Sequence, residues 1–243
     1  MYTTFQKCQK IFIAGAVGVG KTTYLECFRK NITKNHPEIT LHVIPEYIDG
    51  DKDGPAMLQK FINRELDNFG FQMYILNFYE KYINSILKDV KEDDIVIFER
   101  LPDEGIACFA NITYHEQGLS KLQMKELFNK VLELDVKYGL PTLFNLNLHQ
   151  HTFITLKTID KDTFTEEALM ILKALKKHVI IGLYNSPEVC YHRVLERSRD
   201  CESAYTYSNI ERFVRIYANI YRNILASINI TIDSLPALFN AIV

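Results

Sequence analysis

Residues 15–22 read GAVGVGKT, which satisfies the phosphate-loop pattern G-x-x-x-x-G-K-[ST]. An apolar segment, KIFIAG at 10–15, precedes it, and a helical pattern follows from 21 to about 31. The glycines let successive backbone N–H groups face a phosphate, and the helix N-terminus adds partial positive charge. The stretch therefore predicts a nucleoside triphosphate site with Mg²⁺ as its cofactor, formed by Gly15, Gly18, Val19, Gly20, Lys21, Thr22 and Thr23, and the loop alone does not distinguish ATP from GTP. Lys21 is expected to reach the outer phosphates, and the Thr22 hydroxyl is expected to ligate Mg²⁺.

Outward from this loop, short apolar strands alternate with helical patterns. The predicted strands are 10–15, 39–45, 94–98, 178–184 and 228–233, with 141–148 either a strand or a buried loop. The predicted helices are 21–31, two within 56–87, 120–138, 166–177, 187–198 and 208–227. This alternation predicts an α/β fold with a mainly parallel central sheet flanked by helices, over one domain spanning 1–243. The stretch 137–177 is left without an assigned role.

Composition excludes several classes of partner. The net charge is −2 and no basic block occurs, which disfavours binding to a nucleic-acid backbone. The five cysteines are scattered and form no C-x-x-C pair, as in a reduced cytoplasmic protein. No apolar run approaches the roughly 18–20 residues of a membrane span. We therefore expect a cytoplasmic enzyme that binds small molecules, without nucleic-acid or membrane partners.

Charged residues follow two of the predicted strands. Glu46 comes after the second strand, and Glu99 and Arg100 close the third. In parallel sheets, ligands bind beyond the carboxyl ends of the strands. Glu46 could accept a hydroxyl proton there, Glu99 could hold Mg²⁺, and Arg100 could bind developing phosphoryl charge.

An arginine-rich segment, HRVLERSRDCE, occupies residues 192–202, where a lid is expected at about 193–204. Its side chains suit phosphate oxygens, since the guanidinium group is a planar fork of donors. A mobile lid that carries such groups would cover ATP and exclude water. The segment predicts an arginine-bearing lid with Arg193, Arg197 and Arg199 as ATP contacts.

Taken together, these features resemble the deoxynucleoside kinase family, which includes cellular deoxynucleoside kinases and the herpesvirus thymidine kinases. The resemblance runs in order through GAVGVGKTT, IPE, GFQMY, FER, IIGLYNSPEVCYHRVLERSRDCE and ITIDS. It implies a P-loop kinase fold and transfer of the γ-phosphoryl group of ATP to the 5′-hydroxyl of a deoxynucleoside. It also implies a homodimer formed through helices, for which Tyr82, Ile86 and 120–138 are candidates.

The resemblance assigns roles to individual residues. Glu46 would be the general base, Arg100 and Lys21 would act at the reacting centre, and Thr22 with Glu99 would serve Mg²⁺. Gln72 would pair with the nucleobase, and the ITIDS segment near Asp233 looks like the loop that contacts adenine. The expected substrate site comprises Glu46, Phe61, Phe71, Gln72, Ile75, Tyr79, Arg100, Gly105, Phe109 and Glu202.

Three positions depart from the cellular members of the family. Phe61 stands where many carry a tyrosine that contacts the sugar 3′-hydroxyl. Tyr79 and Gly105 stand where members that favour deoxycytidine or purines place an arginine and an aspartate. A tyrosine at 79 and the sequence ERLP resemble the herpesvirus enzymes. The interpretation is therefore a viral-type kinase that prefers thymidine, which would act in the host cytoplasm.

Two other functions are compatible with the phosphate loop. A thymidylate or other nucleoside monophosphate kinase shares the loop, the strand-end arginine and the lid, but needs extra basic residues for the acceptor's phosphate. A non-catalytic nucleotide-binding or switch module needs only the loop, and it leaves Glu46 and the lid unexplained.

Overall fold

The computed structural model describes residues 2–110, 118–143, 151–157 and 178–227. Within them, five strands form one parallel sheet in the order β2-β3-β1-β5-β4. The strands are β1 Gln9–Ala14, β2 Leu41–Ile44, β3 Ile95–Glu99, β4 His151–Lys157 and β5 His178–Tyr184. Every residue of β3 is buried, and β1 and β5 are exposed only at their ends. These strands form continuous apolar runs because helices cover both faces of a parallel sheet.

Six of the eight helices in the described residues match predicted helical segments, whereas the helices at Tyr2–Lys7 and Tyr47–Gly50 were not predicted. The bounds of all eight are α1 Tyr2–Lys7, α2 Lys21–Asn35, α3 Tyr47–Gly50, α4 Gly54–Ile62, α5 Asn68–Ile86, α6 Lys121–Tyr138, α7 Pro187–Arg197 and α8 Tyr207–Ser227. A π-helical turn at Ile106–Ala110 and a 3₁₀ turn at Asp200–Glu202 complete the set. The alternation of parallel strands and helices confirms the predicted fold class.

Comparison with the sequence shows one strand that was not predicted. β4 pairs in parallel with the full length of β5 and lies within the stretch 137–177, to which no role was assigned. Part of that stretch is therefore the edge strand of the sheet. The predicted elements at 144–148, 166–177 and 228–233 lie outside the described residues.

Strand order brings three chain segments to one edge of the sheet. β1 lies between β3 and β5, and its Ile13 pairs with Glu99 while Ala14 pairs with Gly182. β2 lies beside β3, with Ile44 paired to Phe98. The segments that follow β1, β2 and β3 therefore emerge side by side, which is where parallel sheets bind ligands.

Helix α5 forms one wall of the resulting crevice. Its start is fixed by Asp67, whose carboxylate accepts a hydrogen bond from the backbone N–H of Gly70 at 2.7 Å. Phe71, Gln72, Ile75 and Tyr79 are all buried and share one face of the helix, since residues three or four apart are neighbours. The cap and this spacing together place four predicted substrate residues beside the ends of the strands.

Candidate active site

The phosphate loop joins β1 to α2 and packs tightly on α7. Gly18 has φ 78°, and a Cβ atom there would lie 2.1 Å from the carbonyl oxygen of Cys190. Only glycine fits this conformation and this close approach. The loop therefore owes its shape to helix α7, which follows β5 and carries two of the predicted lid arginines.

Lys21 lies at the base of this loop and is 6% exposed. Its ammonium group donates hydrogen bonds to the carbonyl oxygens of Gly15 at 3.2 Å and Ala16 at 3.1 Å. Burial, together with the nearby charge of Arg100, lowers the pKa of Lys21 to about 8. An anionic phosphate beside the ammonium would favour its charged form, which fits the role expected for Lys21 from the sequence.

Thr22 and Glu99 meet where α2 begins and β3 ends. The Thr22 hydroxyl donates a hydrogen bond to the Glu99 carboxylate at 2.6 Å. Burial and repulsion from Glu46 raise the pKa of Glu99. A hydroxyl and a carboxylate are the oxygen donors that Mg²⁺ prefers, and the cation would offset the raised pKa. These two residues therefore fit the magnesium role expected from the sequence.

Arg100 joins the ends of three strands. Its Nε donates to the Glu46 carboxylate at 2.7 Å, and its Nη1 donates to the carbonyl oxygen of Gly15 at 2.9 Å. Although burial alone would raise the pKa of Glu46, the charges of Arg100 and Lys21 lower it below its usual value. Glu46 is therefore an ionised carboxylate at neutral pH, able to accept a proton from a hydroxyl group.

A cavity of about 240 Å³ opens beside this charged centre. That volume lies just below the range of about 300–1,000 Å³ for typical drug-sized sites, so it suits a small ligand. Nine of the ten residues predicted to bind the acceptor substrate line it: Glu46, Phe61, Phe71, Gln72, Ile75, Tyr79, Arg100, Gly105 and Glu202. The tenth, Phe109, lies in the π-helical turn, and its side chain is outside the described part of the structure.

Aromatic rings form the apolar wall of the cavity. Phe61 of α4 and Phe71 of α5 are stacked with ring centroids 4.5 Å apart and planes inclined by 5°. Tyr47, which was not predicted, packs edge-on against Phe71 at 5.6 Å and also lines the cavity. Such a wall suits the flat apolar faces of a nucleobase.

Gln72 is the buried polar group of that wall, with 2% of its surface exposed. Its amide nitrogen donates a hydrogen bond to the Asn68 side chain at 3.2 Å. A Cβ atom at Gly105 would lie 2.3 Å from the Gln72 amide oxygen, which is too close for either group to stay in place. The absence of a side chain at 105 therefore makes room for the amide in its present position.

Tyr79 is almost fully buried at 1% exposure and lies against the sheet. Its hydroxyl donates a hydrogen bond to the backbone carbonyl oxygen of Glu99 at 3.0 Å. Tyr79 therefore lines the cavity while its polar end anchors α5 to the end of β3. Tyr79 thus presents an aromatic ring, and no charged group, to the cavity.

The predicted lid arginines make three different contacts. Arg193 donates to the backbone carbonyl oxygen of Val19 in the phosphate loop at 2.7 Å. Arg197 forms a two-bond ion pair with Glu202, at 2.5 and 2.6 Å, and both residues line the cavity. Arg199 pairs with Asp49 through hydrogen bonds of 2.9 Å and does not line the cavity. Asp233, the predicted adenine contact, lies outside the described residues.

Several residues of the site were not found by sequence reasoning. Tyr205 and Arg212 line the cavity on the side of the lid. Glu104 contacts Arg100 from the turn after β3, and Tyr217 contacts it from α8. Glu104 could have been noticed one helical turn after Arg100, but nothing in the sequence links Tyr217 to a partner more than a hundred residues away.

Comparisons with known proteins identify the family and the fold of the chain. A family model described as "Deoxynucleoside kinase" matches residues 11–135, just over half of the 243 residues. Among solved structures, deoxyadenosine kinase from M. mycoides with bound dATP is similar, with a TM-score of 0.54 and 16% sequence identity. The match covers 90% of this chain and 87% of that one. At this identity the likeness shows a shared fold.

No curated protein sequence matches the chain significantly. Among the described residues, none of the helices has both the length and the apolar character needed to cross a bilayer.

The contact between Gly105 and Gln72 generates a prediction. In Gly105→Ala, the added methyl group should displace the Gln72 amide, because a flexible side chain yields before the backbone does. If the amide pairs with the base, the kcat/KM for the preferred nucleoside should fall about tenfold, as expected for loss of one or two hydrogen bonds. The KM for ATP should stay within twofold, as measured by steady-state kinetics. An unchanged kcat/KM would show that Gln72 does not read the base from this position.

Proposed function

Because the chain belongs to the deoxynucleoside kinase family, we propose that it transfers the γ-phosphoryl group of ATP to the 5′-hydroxyl of a deoxynucleoside, with thymidine as the preferred acceptor. One observation carries the proposal. The phosphate loop, Glu46 and Arg100 meet at the ends of three adjacent strands and open into a single cavity. Phosphoryl transfer requires such a meeting of phosphate site, proton acceptor and positive charge.

Each group in this centre has a distinct task in the proposed reaction. Glu46 is ionised and would accept the proton of the 5′-hydroxyl as the oxygen attacks. Lys21 and Arg100 would bind the charge that spreads over the oxygens of the transferred group. Thr22 and Glu99 would hold Mg²⁺, which supplies further charge neutralisation when bound. Arg193, Arg197 and Arg199 of the lid would contact ATP and exclude water from the reaction.

The cavity supports a nucleoside as the acceptor. Phe61 and Phe71 provide a flat apolar surface for the base, and Gln72 provides one hydrogen-bond donor and one acceptor at the edge of that surface. Glu202 lines the same cavity, where it would bind the sugar 3′-hydroxyl. An aromatic face with a few convergent polar groups is the usual composition of a small-molecule site.

The preference for thymidine rests on what surrounds Gln72. Tyr79 directs its hydroxyl to the Glu99 backbone, and Gly105 has no side chain, so neither brings a charge to the base. Thymine offers a carbonyl oxygen beside an N–H group, which a single amide can pair with in full. Base recognition in this cavity would therefore depend on one neutral amide, as the resemblance to the herpesvirus enzymes implies.

Arg212 provides a specific reason to test a monophosphate kinase as well. Together with Arg197 it gives the lid side of the cavity two cationic groups. A nucleoside monophosphate would bring its own phosphate, for which basic residues are required. The two alternatives differ in one feature of the acceptor, whether its 5′ end carries a hydroxyl group or a phosphate.

The direct test measures ADP release from Mg·ATP with five acceptors: thymidine, deoxycytidine, deoxyadenosine, deoxyguanosine and dTMP. We expect turnover with nucleosides and a kcat/KM for thymidine at least about tenfold above the others, equal to one hydrogen-bond difference. Preference for another base would support the kinase function and reject thymidine as the preferred acceptor. Turnover with dTMP alone would identify a monophosphate kinase. ATP binding without turnover on any acceptor would identify a non-catalytic module.

The role of Glu46 is tested by Glu46→Gln, which preserves shape and removes the proton acceptor. We expect kcat to fall about 10²–10⁴-fold, the usual contribution of a general base. ATP affinity, measured by titration calorimetry, should stay within threefold because the hydrogen bond that Glu46 accepts comes from Arg100. A kcat within threefold of the wild-type value would remove Glu46 from this role.

We also propose a homodimer formed through α5 and α6. Helix α6 exposes Leu132 at 52% and Val136 at 79%, which are four residues apart and therefore lie on one face. The half-buried Tyr82 and Ile86 of α5 belong to the same layer, since α5 packs on α6. Light scattering should give twice the mass of the 28.3 kDa chain, and Val136→Glu should give the mass of a monomer. A monomeric wild-type protein would reject the proposal.

A further inference from the structure

Arg100 has a backbone conformation that needs an explanation. Its φ angle is +82°, in the left-handed region that residues other than glycine rarely adopt. Such a conformation costs on the order of 1–3 kcal/mol and persists only when the surrounding structure holds it. The conformation matters for the proposed chemistry, because it turns the guanidinium group back toward Glu46 and the phosphate loop.

Glu104 holds the strained residue from both sides. One carboxylate oxygen accepts a hydrogen bond from Nη1 of Arg100 at 2.5 Å, and the other accepts from the backbone N–H of Leu101 at 3.2 Å. The first oxygen also accepts from the hydroxyl of Tyr217 and from the backbone N–H of Gly15 at 3.4 Å. Glu104 is 0% exposed. Its side chain thus ties the turn after β3 to the start of the phosphate loop and to α8.

The contacts of Arg100 are divided between its donors. Glu46 occupies Nε, whereas Glu104, the Tyr217 hydroxyl and the Gly15 carbonyl share Nη1. Within the part of the chain that the structure describes, Nη2 donates no hydrogen bond. Two of the three nitrogens are therefore fixed by protein groups, and the third is left for the oxygens of a phosphoryl group.

We propose that Glu104 is a positioning residue for phosphoryl transfer, which fixes the Arg100 guanidinium in line with Glu46 and the phosphate loop. The inference rests on the proposed kinase function. Glu104 is expected to touch neither substrate, since it does not line the cavity. It acts through Arg100, and Tyr217 supports it by fixing the carboxylate from α8.

A purely structural role would have different consequences. If Glu104 served only to neutralise the buried charge of Arg100, its loss would lower stability and leave the chemistry of the folded fraction intact. A positioning role instead predicts slower transfer in a folded enzyme. It also predicts that the effect depends on the guanidinium fork, because a lysine ammonium has no fixed geometry to align.

The test combines two substitutions with one control. Glu104→Gln keeps the shape of the side chain but removes its charge and one acceptor. We expect kcat to fall about 10- to 100-fold, the effect of a lost charge-assisted hydrogen bond, with the KM for ATP within threefold. In an Arg100→Lys background, the same change should cost less than twofold. Asp103→Asn is the matched control, since Asp103 is also a buried carboxylate and accepts from the backbone of Leu143 at 2.6 Å. Its kcat should stay within twofold.

The outcomes separate the proposal from its premise. Wild-type turnover with a nucleoside is measured first, and its absence would reject the kinase function itself. Given that turnover, an unchanged kcat in Glu104→Gln, or an equal loss in the Arg100→Lys background, would overturn the positioning role. If Glu104→Gln does not fold, Tyr217→Phe replaces it. That variant keeps the carboxylate and removes the hydroxyl that donates to Glu104 and accepts from Arg100, and it should lower kcat about 3- to 10-fold. A kcat equal to that of the wild type would then overturn the proposal.

Discussion

The site depends on one constraint, the burial of several charges at the edge of a parallel sheet. Lys21, Arg100, Glu99 and Glu104 are each less than a tenth exposed, and Glu46 lies against them. Burying a charge is costly unless an opposite charge or hydrogen bonds compensate for it. The compensation comes from segments that follow three different strands, so the charged centre exists only when β1, β2 and β3 are correctly paired. Fold and site are therefore parts of one cooperative arrangement.

Cations that would serve a phosphoryl group already have protein partners. Lys21 bonds two carbonyl oxygens of its own loop, Arg197 bonds Glu202, and Arg199 bonds Asp49. Binding of a triphosphate would exchange these partners for phosphate oxygens, so the net affinity would reflect a difference between two sets of interactions. The exposed pair Arg199–Asp49 is weak and easily exchanged, whereas the Arg100 cluster is deeply buried and would persist.

The sequence predicted the parts of the site whose residues are close to one another along the chain. The phosphate loop needs only a strand, a glycine turn and a helix in succession, and Glu46, Glu99 and Arg100 were found because they follow strands. The family resemblance then predicted cavity residues on α5. Glu104, Tyr217 and β4 were missed for a physical reason. The first two act through contacts between distant segments, and an edge strand carries a weaker apolar signal than a central one.

The segment from Glu99 to Gly105 would link the proposed chemistry to the proposed base recognition. Its seven residues contain the carboxylate that bonds Thr22, the buried Arg100, its carboxylate partner Glu104 and the glycine that leaves room for the Gln72 amide. A side chain at 105 would displace the Gln72 amide, and residue 105 directly follows Glu104, whose carboxylate bonds Arg100. The position expected to influence base preference therefore lies next to the residue proposed to position Arg100. Base preference could be altered from α5 with less effect on this segment, because the Asn68 side chain accepts a hydrogen bond from the Gln72 amide.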